Sequence, residues 1–181
     1  MKNLKKEHFC YGAILTSIIE YNPDTSLVLL QPHNDNRKAY KIQTNTSQEC
    51  IIFFKYAFEK TEGSQSWVFQ FSDTDKQFLH ECHENKMPTF VYLLCALDNL
   101  KNSEIAVLRY DEFYEVSHKK SFTIGTKKNA QKFYLHRYKS SKDILEIPRN
   151  RIEKTFDYLI NDIVEASHGY YCPKCGASIK V

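Results

Sequence analysis

Glycine is scarce in this chain, with five in 181 residues. None falls into G-x-x-x-x-G-K-[ST] or G-x-G-x-x-G, so the loops that cradle nucleotide phosphates are missing and nucleotide chemistry of those two kinds is disfavoured. A G-x-S-x-G nucleophile elbow is missing as well. No apolar run approaches the roughly 18 residues of a membrane span, so no transmembrane helix is expected. The opening stretch MKNLKKEHFCYGAILTSIIEY places lysines before apolar residues, as a signal peptide does. Glu7 and His8 interrupt it, Thr16 and Ser17 break the apolar part, and no small-residue cleavage site follows, so the expectation is a cytoplasmic protein. Cysteine usage agrees. Cys10, Cys50, Cys82 and Cys95 are far apart and mostly sit in apolar runs, as reduced core thiols do, and only Cys172 and Cys175 form a spaced pair.

What the chain does have is apolar and aromatic mass. Apolar residues make up 42% and aromatics 14%, with 12 Tyr and 12 Phe, which is enough for a packed core rather than a disordered chain. The length suits one globular domain, read here as residues 1–166, with a short tail at 167–181. Net charge is only +3, but it is unevenly spread. Residues 119–154 hold eleven Lys or Arg against Asp143, Glu146 and Glu153, a local +8 that leaves −5 for the remainder.

Periodicity predicts a helix over 3–21, where Leu4, Ile14, Leu15, Ile18 and Ile19 form an apolar side and Asn22-Pro23 stops it. Strands are predicted at 26–30, 39–43 and 50–58, the last apolar on both faces at its start and therefore central. EGSQS reads as a turn into WVFQF, where Trp67, Phe69 and Phe71 alternate with polar or smaller residues, so a hairpin is predicted over 50–71. Ser72 followed by Asp75 resembles a capping box, with Asp in place of the usual Glu, and opens a helix predicted over 73–86. Strands follow at 89–97 and 104–110. SFTIGT and QKFYLHRY predict a second, basic hairpin, after which Pro148 and an Asn150 cap begin a final helix carrying Ile152, Phe156, Leu159, Ile160 and Ile163. The expected fold is α+β or mixed α/β: a central mixed sheet of about six strands flanked by helices, with a basic hairpin and a C-terminal helix and knuckle.

Two clusters bear on metal. In HGYYCPKCGASIKV, Cys172 and Cys175 have the C-x-x-C spacing that lets two thiolates grip one tetrahedral Zn²⁺, and Pro173 and Gly176 suit the knuckle turn around it. His168 is the candidate third ligand. The fourth is a distant side chain or, in a homodimer, the cysteine pair of a second subunit at a two-fold axis. HECHEN imitates half of a zinc deaminase signature, but the order of Pro and Cys at the tail rejects that reading. On a helix, His80, His83 and Glu84 share a polar face, while Cys82 turns with Phe78 and Leu79 toward the core.

The order of elements up to residue 97, helix, three or four strands, helix, strand, resembles the core of restriction-endonuclease-like PD-(D/E)XK nucleases. That resemblance implies two carboxylates holding Mg²⁺ and a lysine orienting water. Pro23-Asp24 offers the first acid. At the strand position, however, the chain reads Phe53-Phe54-Lys55, and the only D/E-x-K is Glu84-Asn85-Lys86, so the motif is not matched. Asp24, Glu49 and Lys55 are the best catalytic set the resemblance can offer.

The basic segment carries the other functional signal. Lys127, Lys128, Lys132, Arg137, Lys139, Arg149 and Arg151 interleave with aromatics such as Tyr134, the mixture that neutralises phosphates and stacks bases. On a strand, Lys132, Tyr134 and His136 project together while Phe133 and Leu135 face the other way. The same pattern also describes a charged sheet edge over a core. The leading expectation is a non-catalytic binding or accessory module contacting nucleic acid or a larger protein assembly. The alternatives are a divergent metal-dependent nuclease and an obligate subunit of a complex. For the tail, zinc analysis of purified protein is expected to give one atom per chain for a ligand set completed within the chain, or half an atom for a site shared between two; no zinc at all rejects the knuckle.

Overall fold

The structure, a computed structural model, describes residues 3–23, 25–30, 38–43, 49–61, 63–98, 100–127, 129–136 and 144–155. Helix α1 spans Lys6–Tyr21 and strands β1 to β4 span Ser26–Leu30, Lys38–Gln43, Glu49–Phe58 and Ser66–Gln70. Helix α2 is Asp73–Glu84, β5 Thr89–Ala96, β6 Glu104–Arg109 and α3 Tyr110–Ser117. Strands β7 to β9 are Ser121–Thr126, Lys132–His136 and Ile144–Pro148, and a 3₁₀ helix covers Arg149–Lys154. The α+β class expected from the pattern is the class found. Its strands divide into a five-stranded mixed sheet, ordered β1-β2-β3-β5-β6, and a four-stranded antiparallel sheet, ordered β4-β7-β8-β9.

Strand β3 lies at the centre, as its two-sided apolar run demands. It pairs antiparallel with β2 and parallel with β5, the parallel partner being reached through β4 and α2. All eight residues of β5 are buried, which follows when both faces of a sheet are covered. Side chains of neighbouring residues point to opposite faces, so the two strands feed two separate cores. Cys50, Ile52 and Phe54 of β3 join Phe90, Tyr92 and Leu94 of β5 and the Cys10, Ile14 and Ile18 stripe of α1. Phe53, Val91, Leu93 and Cys95 face the other way, toward Trp67 and Phe69 of β4, Leu79 of α2, Phe113 of α3 and the inner residues of β7 and β8. The result is three layers: α1, the mixed sheet, and the second sheet with α2 and α3.

Local sequence accounts for most element ends. The α1 stripe ends where the Asn22 amide and side chain both donate to the Ile18 carbonyl, at 3.0 and 3.1 Å. The capping box at α2 is present in full: Ser72 Oγ accepts from the Asp75 amide at 3.1 Å, and Asp75 Oδ2 accepts from the Ser72 amide at 3.0 Å. Buried thiols are raised in pKa by their surroundings, Cys50 to about 12, and Cys10, Cys50, Cys82 and Cys95 are all free.

Three expectations need correction. The 50–71 hairpin exists only at its tip, where Glu59 bridges Trp67 and the Lys60 amide reaches the Ser66 carbonyl at 3.3 Å. Beyond that β4 leaves β3 and pairs with β7, because the rings of Phe69 and Phe71 pack against Phe122 and Phe113. Trp67 secures the departure by donating Nε1–H to the Ala96 carbonyl of β5 at 3.0 Å. Second, α3 was not foreseen, although Tyr110, Phe113 and Val116 recur at helical spacing and Glu112 Oε2 accepts from the Arg109 amide at 2.9 Å. Third, Ile144–Pro148 is a strand, and the turn after it begins at Arg149, so Asn150 lies inside that turn and is not its cap. The continuation of the final helix beyond Thr155 and the 167–181 tail lie outside the described residues. Among the described residues no helix is long and apolar enough to cross a membrane.

The 3₁₀ helix is fastened from within. Arg151 and Glu112 form a buried ion pair, each side chain 7% exposed, with Arg151 Nη2 donating to Glu112 Oε1 at 2.8 Å and Nη1 to the Val107 carbonyl at 3.0 Å. Thr155 Oγ1 accepts from the Tyr92 hydroxyl at 2.8 Å, tying the same segment to the middle of β5. Glu112→Ala leaves a guanidinium buried without its counterion and is expected to cost about 3–5 kcal/mol by urea denaturation, whereas replacing both residues by Leu and Met is expected to cost much less.

Candidate functional site

The basic hairpin forms as expected, with β7 and β8 antiparallel, Phe133 and Leu135 buried and Lys132, Tyr134 and His136 on the outer side. Its charges are largely answered within the chain. Lys132 is ion-paired with Glu146 of β9, whose carboxylate holds the ammonium above its ordinary pKa. Arg149 grips Glu104 of β6 with two nitrogens, the Nε contact at 2.6 Å, and its guanidinium lies 5.8 Å from the Phe133 ring. Arg151 is the buried partner of Glu112. Of the described residues proposed to contact nucleic acid, Lys127 stands exposed, with its ammonium 4.6 Å from the Tyr134 ring. Lys128, Arg137 and Lys139 lie outside the described residues, as do Asp24 and the candidate zinc ligands His168, Cys172 and Cys175.

The two described members of the nuclease set are not drawn together. Glu49 opens β3 and Lys55 lies six residues further along it, about 20 Å away at the rise of an extended strand. Glu49 is paired with Lys41 at 2.6 Å, and Lys55 with Asp75 at 2.9 Å. Among the described residues no group of three or more His, Cys, Asp or Glu is placed to hold a metal ion. His80 and His83 share a face of α2, as their spacing predicts, but both are engaged by α3. His80 Nδ1 is 2.9 Å from the Tyr110 hydroxyl, and the His83 ring stacks on Tyr110 at 4.1 Å.

The Lys55–Asp75 pair explains the unusual capping box. Asp75 is 3% exposed, and its carboxylate serves the α2 cap and the strand lysine together. Burial alone raises its pKa, but the Lys55 hydrogen bond, the Ser72 amide and the Lys55 charge outweigh that and hold it below its ordinary value. Lys55 also lies 5.5 Å from the Phe71 ring.

Beside this pair the structure opens. Where β3 and β4 diverge they enclose a cleft of 670 Å³, lined chiefly by Tyr11, Tyr56, Phe58, Lys60, Val68 and Gln70. Tyr11 of α1 meets Tyr56 edge-on at 5.5 Å, and Lys6 covers the Phe58 ring at 3.4 Å. Burial, reinforced by Tyr56 and Glu7, moves the Tyr11 phenol up, so it is a neutral hydrogen-bonding group at physiological pH. Val68 is 37% exposed, an apolar side chain turned away from the core its neighbours Trp67 and Phe69 occupy. Sequence reasoning missed this cleft. The signals were a lone lysine in the apolar run IIFFKYAF, which requires a counterion, and the outward parity of Val68 and Gln70 beside the aromatic stripe.

No protein-family model matches this chain, and no curated protein matches it. A depressed carboxylate stabilises the fold above its unfolded pKa, and that stabilisation is lost as pH falls through the lower folded value. Stability is therefore expected to decline below about pH 4. Asp75→Asn is expected to remove that part of the pH profile and to cost about 1–3 kcal/mol at pH 7, both read from denaturation curves across pH.

Proposed function

We propose that this chain is a non-catalytic binding module that docks a protein partner within a larger assembly. The observation that carries this reading is the divergence of β3 and β4, which leaves a cleft bordered by two strand edges and floored by aromatic rings. Clefts walled by strands and lined by aromatic and apolar side chains are surfaces that other polypeptides fill. Exposed apolar residues elsewhere, Phe9 and Ile19 on α1 and Val28 and Leu29 on the edge strand β1, support a chain that works in company.

A nucleic-acid contact is the second reading, supported by Lys127 over Tyr134. It is weakened because Lys132, Arg149 and Arg151 each have a carboxylate partner that phosphate would have to displace. The restriction-endonuclease-like alternative draws less support, since its strand acid and lysine are separately paired.

The test is a photo-reactive phenylalanine analogue placed at Val68 or Gln70, and at exposed Tyr114 as a control, in the cell that makes this protein. A discrete protein adduct at 68 or 70 and not at 114 is expected. Adducts to nucleic acid alone, or protein adducts equal at all three positions, would reject the reading.

A further inference from the structure

A second cavity lies at the opposite end of β5 from the cleft, beside Thr89 rather than Ala96. It measures 490 Å³ and is bounded by the turn after α2 and by the junction of β6 with α3. Antiparallel pairing of β5 with β6 sets Phe90 opposite Arg109, so the residues just before β5 and just after β6 come together there. Met87, Pro88, Phe90 and Tyr110 supply apolar lining, and Lys86 and Arg109 supply positive charge.

The walls are fastened on both sides. The Lys86 amide donates to the His83 carbonyl at 2.8 Å and the Met87 amide to the Cys82 carbonyl at 3.1 Å, the two bonds of a Schellman ending. Thr89 Oγ1 then donates to the Met87 carbonyl at 2.8 Å, and the Ile51 amide of β3 to the Pro88 carbonyl at 2.8 Å. Opposite, Tyr110 is stacked under His83 and bonded to His80. A Schellman ending favours glycine at the position Lys86 occupies, where φ is +58° and a side chain is strained. Among the described non-glycine residues with positive φ, Lys86 alone carries a charge. It is exposed and makes no ion pair among the described residues. The chain therefore keeps a cation where glycine is the more stable choice, beside a second cation and over an apolar floor.

Carboxylates at the rim set the size of the charge that fits. Arg109 Nη2 donates to Asp111 Oδ2 at 3.2 Å, but the two side chains are 44% and 66% exposed, and an exposed pair of this kind is displaced at little cost. Glu84 also stands close: after burial and Tyr114, its charge helps to raise the Tyr110 phenol. Two acids flanking two cations repel a polyanion and leave room for one negative charge. We infer that this cavity binds a small organic acid, with its carboxylate between Lys86 and Arg109 and its aromatic or aliphatic body against Met87, Pro88 and Tyr110. Small-molecule sites typically enclose about 300–1,000 Å³, mostly apolar with a few placed polar groups, and this cavity falls within that range. The site goes beyond the docking reading and does not depend on it.

The experiment titrates naphthoate into the isotope-labelled full chain and follows backbone amide shifts, with naphthamide as the uncharged analogue and inorganic phosphate as a charge without an apolar body. Naphthoate is expected to move the amides of Met87, Thr89 and Tyr110 and to bind at least fivefold more tightly than either comparator. Lys86→Gly is expected to weaken naphthoate at least threefold while raising the urea midpoint, a combination that a purely structural lysine does not produce. Asp111→Asn, which releases Arg109, is expected to tighten it. No shift at these amides, equal affinity for acid and amide, phosphate binding as tight as naphthoate, or unchanged affinity in Lys86→Gly each overturns the site. Shifts confined to Tyr56 and Val68 place the acid in the cleft and overturn it as well. A peptide ending in phenylalanine that outbinds naphthoate at Met87 and Tyr110 assigns the carboxylate to a protein terminus and overturns the small molecule, while the docking reading at the cleft stands.

Discussion

The parallel pairing of β3 with β5 is the constraint from which the rest of the structure follows. Eight consecutive residue pairs place an unbroken apolar ladder in the middle of the sheet, so both faces must be covered. On one side Cys10, Ile14 and Ile18 of α1, with Ile152 of the 3₁₀ helix beside them, fill the row made by Phe54, Tyr92 and their neighbours. The opposite face presents Phe53, Val91, Leu93 and Cys95, a broader surface that one helix does not close. A second sheet closes it, with α2 and α3 at its flank.

That division accounts for the cleft. If β4 stayed beside β3, as a hairpin rule favours, the lower core would lose Trp67, Phe69 and Phe71. Each buried aromatic side chain is worth on the order of 2–3 kcal/mol, while a few edge hydrogen bonds exchanged with water contribute about 1 kcal/mol apiece. The aromatic residues therefore carry β4 away after a single bridge, and two strand edges are left facing one another. Burial also governs the charges. Lys55 sits where a two-faced strand reaches the boundary between core and cleft, and it persists because Asp75 supplies a counterion from the first turn of α2. Arg151 lies deeper and is held by Glu112 and the Val107 carbonyl. Lys132, Arg149 and Arg151, which look like part of a phosphate-binding stripe in one dimension, thus fasten β8 to β9 and the 3₁₀ helix to β6 and α3.

Much of the fold was legible in the residues. Ile14 and Ile18 of the α1 stripe, the box at Ser72 and Asp75, the two-faced run of β3 and the alternation of Phe133 and Leu135 all depend on contacts within a few positions, and each was recovered, whereas Leu4 lies before the helix and Ile19 is exposed. The misses share a cause. Strand β9 is five residues long and ends in proline, and α3 is a short helix directly after a strand, so neither has enough length for a period to stand out. Strand β4 is legible as a strand but its neighbour is not, because its pairing is decided by β7, whose Phe122 lies opposite Phe69, and not by the turn beside it.

For the site the balance is different. By itself the sequence determined most of the strands and helices, the apolar face of the longer ones, and that no phosphate-cradling glycine loop is present, since these properties follow from side-chain chemistry and spacing along the chain. Only the tertiary structure decided which cations meet carboxylates and which strands pair. Both depend on the distance between residues remote in sequence, and that distance is set by how the two cores are filled.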